Sequence, residues 1–422
     1  MMAKKGKKPE IRFAGYETEW IEKNFDETFE MLSNNTLSRD ALNYDGGAAK
    51  NVHYGDVLVK FGEYLDVNRE KLPYINDDTI ALKFIKSYLK DGDIVIADTA
   101  EDESVGKCTE VIGIEDTPVI SGLHTMPCRP KQKYAPKYMG YYLNSNAYHD
   151  KLLPLMQGVK VTSISRTAIK DTNLTISQEL EEQSKIGDFF SSLDDKINFE
   201  VSKIKKLTIV KKSLMEKMFP KEDNNTPEIR FNGFTDPWEQ REVGEILVER
   251  NEQYPQSNEY PLMAFIANEG VAHKGDRYDR SFLVNDIENK AYKRTELGDF
   301  IYSSNNLETG SIGLNKYGKA SLSPVYSIFE PTENTDSDFI GRMLIRKEFI
   351  NEMVKWRQGV VYGQWRIHES DFIKIKVFVP KVEEQRKIGN FLDSLDKLIA
   401  THQRRLEKLK NIKASCMEKM FV

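Results

Sequence analysis

Two stretches of the chain repeat one spacing of apolar positions. In the first, Ile186, Phe190, Leu193, Ile197, Ile204, Leu207, Leu214 and Met218 alternate mostly three and four residues apart. In the second, Ile388, Leu392, Leu395, Ile399, Leu406, Leu409, Cys416 and Met420 do the same, each 202 residues after its counterpart. A 3–4 rhythm held over about five heptads is coiled-coil spacing and predicts a long helix in each place, 177–219 and 380–422. The rhythm lapses at matching places, Glu200 with His402 and Lys211 with Lys413, where Val210 and Ile412 lie one residue away. Glutamates open both segments and Lys or Arg crowd their later turns, as the helix dipole favours. About 40 residues at 1.5 Å each make a rod of roughly 60 Å. Alone, such a stripe reads as a core helix. Two matching stripes are most simply buried against each other, antiparallel, with the remaining chain hung at opposite ends.

Elsewhere the pattern favours strands. Runs rich in β-branched and aromatic residues occur at "YGDVLVKFG" (54–62), "GDIVIADT" (92–99) and "TEVIGIEDTPVIS" (109–121). A second set occurs at "GDFIYSS" (298–304), "YSIFEP" (326–331) and "FIKIKVFVP" (372–380). A Gly-Asp turn leads a strand in both sets, at Gly92-Asp93 and Gly298-Asp299.

The repetition extends to words. "EEQSKIGDFFSSLDDK" (181–196) returns as "EEQRKIGNFLDSLDK" (383–397), and "SLMEKMFP" (213–220) as "SCMEKMFV" (415–422). "PEIRFAGYETEW" (9–20) returns as "PEIRFNGFTDPW" (227–238). The chain therefore reads twice: an opening motif, a variable stretch, then a shared closing helix. The expected organisation is an opening segment at 1–20, a mixed α/β domain at 21–176 and a long helix at 177–219. After a linker and repeated opening segment at 220–238 come a second domain at 239–379 and the last helix at 380–422. The fold class is α+β with an internal pseudo-twofold repeat.

Composition adds exclusions. No apolar run reaches the roughly 18 residues that span a bilayer, and the basic "MMAKKGKKPE" start has no apolar segment behind it, so no secretory signal is expected. Cys108, Cys128 and Cys416 lie apart, which fits a reducing cytosol and neither a disulfide framework nor a zinc site. A net charge of −5 gives nucleic-acid binding no bulk support, so basic residues would have to be concentrated locally.

A search for catalytic chemistry finds little. "GLNKYGKA" (313–320) is one residue short of a phosphate-cradling loop, with Ala320 where a hydroxyl should hold Mg²⁺. It reads better as a glycine-turned loop carrying Lys316 and Lys319. No G-x-G-x-x-G, no Asn/Asp-Pro-Pro-aromatic tetrapeptide and no metal-ligand histidine spacing occurs. Recognition fits better than reaction. The polar loops "QGVKVTSISRTAIK" (157–170) and "QGVVYGQWRIHESD" (358–371) carry groups suited to base edges. These are Thr162, Ser163, Ser165 and Arg166 in one, and Tyr362, Gln364, Trp365 and Arg366 in the other. Lys131, Lys133, Lys160, Lys274, Arg277, Lys316 and Lys319 are candidates for phosphate contacts, each of which also reads as ordinary solvated surface.

The doubled plan, the "EEQ-x-KIG-x-F" helix starts, the "MEKMF" ends and the "PEIRF-x-G" openings resemble the specificity subunit of bacterial type I restriction-modification enzymes, over essentially the whole chain. The resemblance implies two target recognition domains, each reading half of a bipartite double-stranded DNA sequence, and paired helices that set the spacing. It implies docking to two modification subunits that bind S-adenosylmethionine and methylate adenine. Two restriction subunits, driven by ATP with Mg²⁺, would complete the complex. It also implies that this chain has no active site and binds no cofactor itself. Two rivals compete: an enzyme, either a fused methyltransferase-nuclease or a nucleotide hydrolase using Gly313–Ala320, and a coiled coil that spaces two protein-binding heads.

Overall fold

A computed structural model of the chain describes residues 8–221, 224–273, 290–360 and 364–422. They fall into two compact units, Met1–Val201 with Arg404–Val422, and Ser202–Gln403. Among the described residues no helix is long and apolar enough to cross a membrane.

The first unit is built on a five-stranded sheet. Its strands are β2 (Phe29–Met31), β3 (Tyr64–Asp66), β4 (Ile94–Ala97), β6 (Cys108–Ile112) and β7 (Thr125–Pro130), in the order β2-β7-β4-β6-β3. Strand β4 is buried on both faces along its length, which is why its sequence is a continuous apolar run and not an alternating one. The Gly-Asp turn works as expected. Gly92 takes φ 87°, and buried Asp93 accepts from the Lys90 amide at 2.8 Å. Helix α1 (Tyr138–Asn144) buries Tyr138, Tyr141 and Tyr142 in the core, and a pair of strands, β1 (Ile21–Asn24) and β9 (Asn173–Ile176), closes the domain.

One expected strand is a helix. Residues Tyr54–Val59 are helical because His53 caps them, its ring accepting from the Gly55 amide at 3.2 Å, while Val57 is buried with Val52, Leu65, Val95 and Val111. The β-branched and aromatic residues there belong to a short helix that buries Asp56 and Val57.

The second unit repeats the plan with β11 (Leu247–Glu249), β12 (Phe300–Tyr302), β13 (Ile312–Leu314) and β14 (Ser327–Pro331) in the order β11-β14-β12-β13. Helix α4 (Ser337–Leu344) stands where α1 does, and β10 (Glu239–Glu242) pairs with β17 (Lys376–Val379) as β1 does with β9. The "FIKIKVFVP" stretch is strand only over β17, since Glu369–Phe372 forms a helical turn.

The repeated words are the joinery of each unit. Helix α3 runs Leu180–Lys217 and helix α5 Val382–Lys419. Arg12 forks onto Glu182 at 2.5 and 2.9 Å, and Arg230 onto Glu384 at 2.9 and 2.7 Å. Gln183 accepts from the Ala135 amide and donates to the Ser177 carbonyl; Gln385 does the same with Asp336 and Pro380. A Cβ on Gly187 would lie 2.7 Å from the Pro136 oxygen, and one on Gly389 2.5 Å from Asp336 Oδ1, so both helices pass too close for any side chain there. The "MEKMF" ends plug the cores. Phe421 stacks on Phe190 at 5.6 Å beside Trp20, and Phe219 stacks on Phe339 at 5.3 Å beside Trp238.

Within each unit the helix segments run antiparallel. In the first, Lys413 meets Asp194 at 2.7 Å, and Phe421, just past the end of α5, meets Phe190, earlier on α3. In the second, Lys211 meets Asp396 at 2.5 Å, while Leu214 packs on the core holding Ile388 and Leu392. The lapses in the apolar rhythm at Lys211 and Lys413 are thus positions of ion pairs, and Glu200 and His402 are buried polar residues. Ile186, Phe190, Leu193, Ile388 and Leu392 are buried in the domain cores, among Tyr138 and Tyr141 or Phe339 and Ile340. Ile197, Ile204, Leu207, Leu214, Leu395, Ile399, Leu406 and Leu409 are half-buried.

Candidate nucleic-acid interface

In each unit a hairpin from one of the two polar loops is fastened to the finishing end of the central strand. In the first, Gln157 and Ser163 exchange backbone hydrogen bonds of 2.9 and 2.8 Å, and β8 (Thr162–Ser163) pairs with β5 (Thr99–Ala100), the continuation of β4. Gly158 sits at φ 120°, where a Cβ would lie 2.0 Å from the Val161 oxygen, so the turn requires glycine. Val159, Lys160 and Val161 form an exposed tip. Ser165 caps α2 (Arg166–Lys170) through the Ala168 amide. Arg166 donates to the Leu32 carbonyl at 3.1 Å and to Asn34 Oδ1 at 2.7 Å, which ties the hairpin base to the end of β2.

In the second unit, β15 (Gln358–Val360) pairs with β16 (Gln364–Arg366). The Trp365 amide donates to Asn305 Oδ1 at 2.6 Å and the Ile367 amide to Ser304 Oγ at 3.0 Å. Gln364, Trp365 and Arg366 are exposed, with Arg366 3.6 Å from Glu369. Lys274, Arg277 and Tyr362 lie outside the described residues.

Four of the lysines fall elsewhere. Cys128 is opposite Ile94 and Thr125 opposite Ala97, so Lys131 and Lys133, which follow β7, lie at the starting end of β4, away from the hairpin. They line a cavity of about 600 Å³ with Arg129, and Lys131 donates to the Asp26 carbonyl at 2.6 Å. Leu314 is opposite Phe300, which places Lys316 and Lys319 at the starting end of β12 as well. Lys316 faces Asp338 and Asp393, and Lys319 pairs with Glu259. The stretch 313–320 is an Asn315-centred turn leading into a strand, Ala320–Leu322, and lacks the helix that a phosphate cradle needs.

Each sheet also holds a buried Asp–Arg pair, Asp93–Arg129 at 2.7 Å and Asp299–Arg250 at 2.9 Å. Burial pushes both carboxyls above the ordinary Asp range, and the arginine pulls each part of the way back. The arginine comes from β7 in the first unit and from the residue after β11 in the second. The pair survives while the surrounding residues change.

Reading from sequence missed the side chains beneath the hairpins: Asp98, Thr99 and His124 in the first unit, Ser304 and Asn305 in the second. Their signal was positional, since Asp98-Thr99 and Ser304-Asn305 both follow a Gly-Asp-led strand at the same offset.

Comparison with known proteins fits this doubled arrangement. The family model of the type I restriction modification DNA specificity domain matches residues 17–208 and again 235–411. A protein of Methanocaldococcus jannaschii assigned as the specificity subunit of type I restriction enzyme MjaX is 25% identical over 368 residues, 82% of this chain and 81% of its own length. The MjaVIII specificity subunit of the same organism is 25% identical over 264 residues, covering 56% of this chain and 59% of that protein. The crystal structure of a type I restriction-modification system S subunit from M. genitalium superposes with a TM-score of 0.60 at 14% identity, over 98% of this chain and 99% of that one. Two family matches, one on each repeat, account for both halves of the molecule: the chain belongs to the type I restriction modification DNA specificity domain family and is a DNA specificity subunit.

Proposed function

We propose that each domain reads one half of a bipartite, asymmetric DNA target. The paired helices set the distance between the halves and dock two modification subunits, and the assembly directs adenine methylation and restriction. The observation that carries this reading is one scaffold presenting two different fillings at the same place. A hydroxyl-rich hairpin with a Val-Lys-Val tip lies on Thr99 in one domain, and a Gln-Trp-Arg strand lies on Asn305 in the other. Guanidinium and amide groups such as those of Arg366 and Gln364 suit bidentate base contacts, whereas Lys160 suits a phosphate. The lysines at the opposite strand ends (Lys131, Lys133, Lys316 and Lys319) take a lesser part in this reading.

The chain contributes selection and no reacting group. S-adenosylmethionine belongs to the modification subunits, and ATP with Mg²⁺ to two restriction subunits. Purified alone, it is expected to transfer no methyl group and hydrolyse no ATP.

Footprinting of the chain with modification subunits tests the reading. Two protected blocks separated by an unprotected spacer are expected. One unbroken block, or no site-specific protection, would favour a protein that merely spaces two protein-binding heads.

A further inference from the structure

The strand registers make the two domains comparable residue by residue. Cys128 on β7 lies opposite Ile94, and Phe329 on β14 lies opposite Phe300; Ile94 and Phe300 each stand two residues after the glycine of the Gly-Asp turn. Cys128 and Phe329 are therefore equivalent, and so are the residues four places earlier, His124 and Val325. Both precede the last central strand, beside the end that carries the hairpin, and both are exposed: the His124 side chain by 47% and Val325 by 68%.

The first is unusual for an exposed position. His124 holds φ 51°, the left-handed region that an ordinary side chain avoids. It is fixed there by Asp98 Oδ1, 3.2 Å from its Nδ1, and by the edge of Tyr54 at 5.3 Å. An ionised carboxylate only accepts, so Nδ1 donates to Asp98 Oδ1; Thr99, whose backbone pairs with Ser163, donates its Oγ1 proton to the same oxygen. A neutral ring so held has Nε2 as a hydrogen-bond acceptor. Val325 presents only methyl groups.

We propose that this turn carries a specificity-determining residue in each domain. His124 accepts from the exocyclic amine of an adenine or cytosine, and Val325 contacts a thymine methyl, the two readouts that an acceptor and an apolar group have in the major groove. The inference rests on the half-site reading above.

The test uses the full chain reconstituted with modification subunits on a library of randomised targets. His124→Ala should flatten base preference at one position of one half-site by about tenfold or more, leaving the other half unchanged. His124→Asn, which tolerates the left-handed backbone, should flatten or alter the same position. Val325→Thr, nearly isosteric, should weaken selection by several-fold at one position of the other half. Unchanged base preferences in all three variants would overturn the proposal. A parallel exchange of residues 21–176 separates the two ideas. If the exchange alters one half-site and the point variants alter nothing, the turn is not a reader but the domains are. If the exchange alters nothing either, the half-site reading fails and takes this inference with it.

Discussion

At the residue scale, the repeated words carry geometry: they lock each long helix onto its own domain. Glu182 is fully buried, and burial alone would raise its pKa. The Arg12 fork, Ser177 Oγ at 2.5 Å and Trp20 Nε1 at 3.1 Å more than offset that, holding the carboxyl below its ordinary range. A depressed carboxyl contributes stability that is present above its unfolded value of about 4.3 and is lost as pH falls through the folded value. Glu182→Gln is therefore expected to lower stability at pH 7 by about 2 kcal/mol. In thermal melts the gap from wild type should narrow below about pH 4; a gap constant with pH would contradict the assignment. Gly187→Ala and Gly389→Ala should each cost about 1–3 kcal/mol in denaturant unfolding, because helix and loop must separate to admit the methyl.

At the element scale, the long helices and central strands were legible because their patterns are strong. A 38-residue helix carrying a 3–4 rhythm along most of its length and a four-residue run buried on both faces leave little choice. The Tyr54–Val59 segment was not, since capping by His53 and the burial of Asp56 and Val57 decided it, and neither shows in β-branched and aromatic content. The lapses at Lys211 and Lys413 were visible, but their meaning was not, because the partners Asp396 and Asp194 come from the other helix. Those two aspartates are equivalent in the repeat yet differ electrostatically. Burial and neighbouring Glu63 push Asp194 above the ordinary range, against the pull of Lys413. Burial also acts on Asp396, but Lys211 and Arg342 outweigh it and hold that carboxyl low. Asp396→Asn strands two cations, while Asp194→Asn leaves Lys413 paired with Glu63 at 2.8 Å. The first should cost about 2–3 kcal/mol at pH 7 and the second less than about half of that. Acidification through the depressed Asp396 pKa should erase the larger deficit, whereas ionised Asp194 is already disfavoured and its carboxyl favours the folded state more at low pH. Equal costs, measured by chemical denaturation of both variants, would contradict this reading of the charges.

At the scale of the whole molecule, the proposed function follows from a frame used twice and filled differently. The frame was readable because repetition makes it visible: Arg12 and Arg230, Glu182 and Glu384, Gly187 and Gly389 each occur in matched words. The site was readable only as two loops. Its floor, Asp98, Thr99, His124, Ser304 and Asn305, is set by strand register and by hydrogen bonds across more than twenty residues of chain; the shared offset after the Gly-Asp turns marks four of the five positions but not what they contact. Sorting lysines by charge alone likewise could not tell Lys160, at a hairpin tip, from Lys131 or Lys316 at the other strand ends. If the helices act as the spacer, lengthening α3 and α5 together by two turns should lengthen the gap between the methylated half-sites, read by methylation mapping; an unchanged gap would assign spacing to another element. The central claim, that each domain selects its half of the target independently, is tested most directly by replacing residues 21–176 with the corresponding domain of another specificity subunit. The methylated adenines are then mapped genome-wide. The predicted result is a new sequence on one side of the spacer and the original sequence on the other. A change on both sides, or on neither, would contradict it.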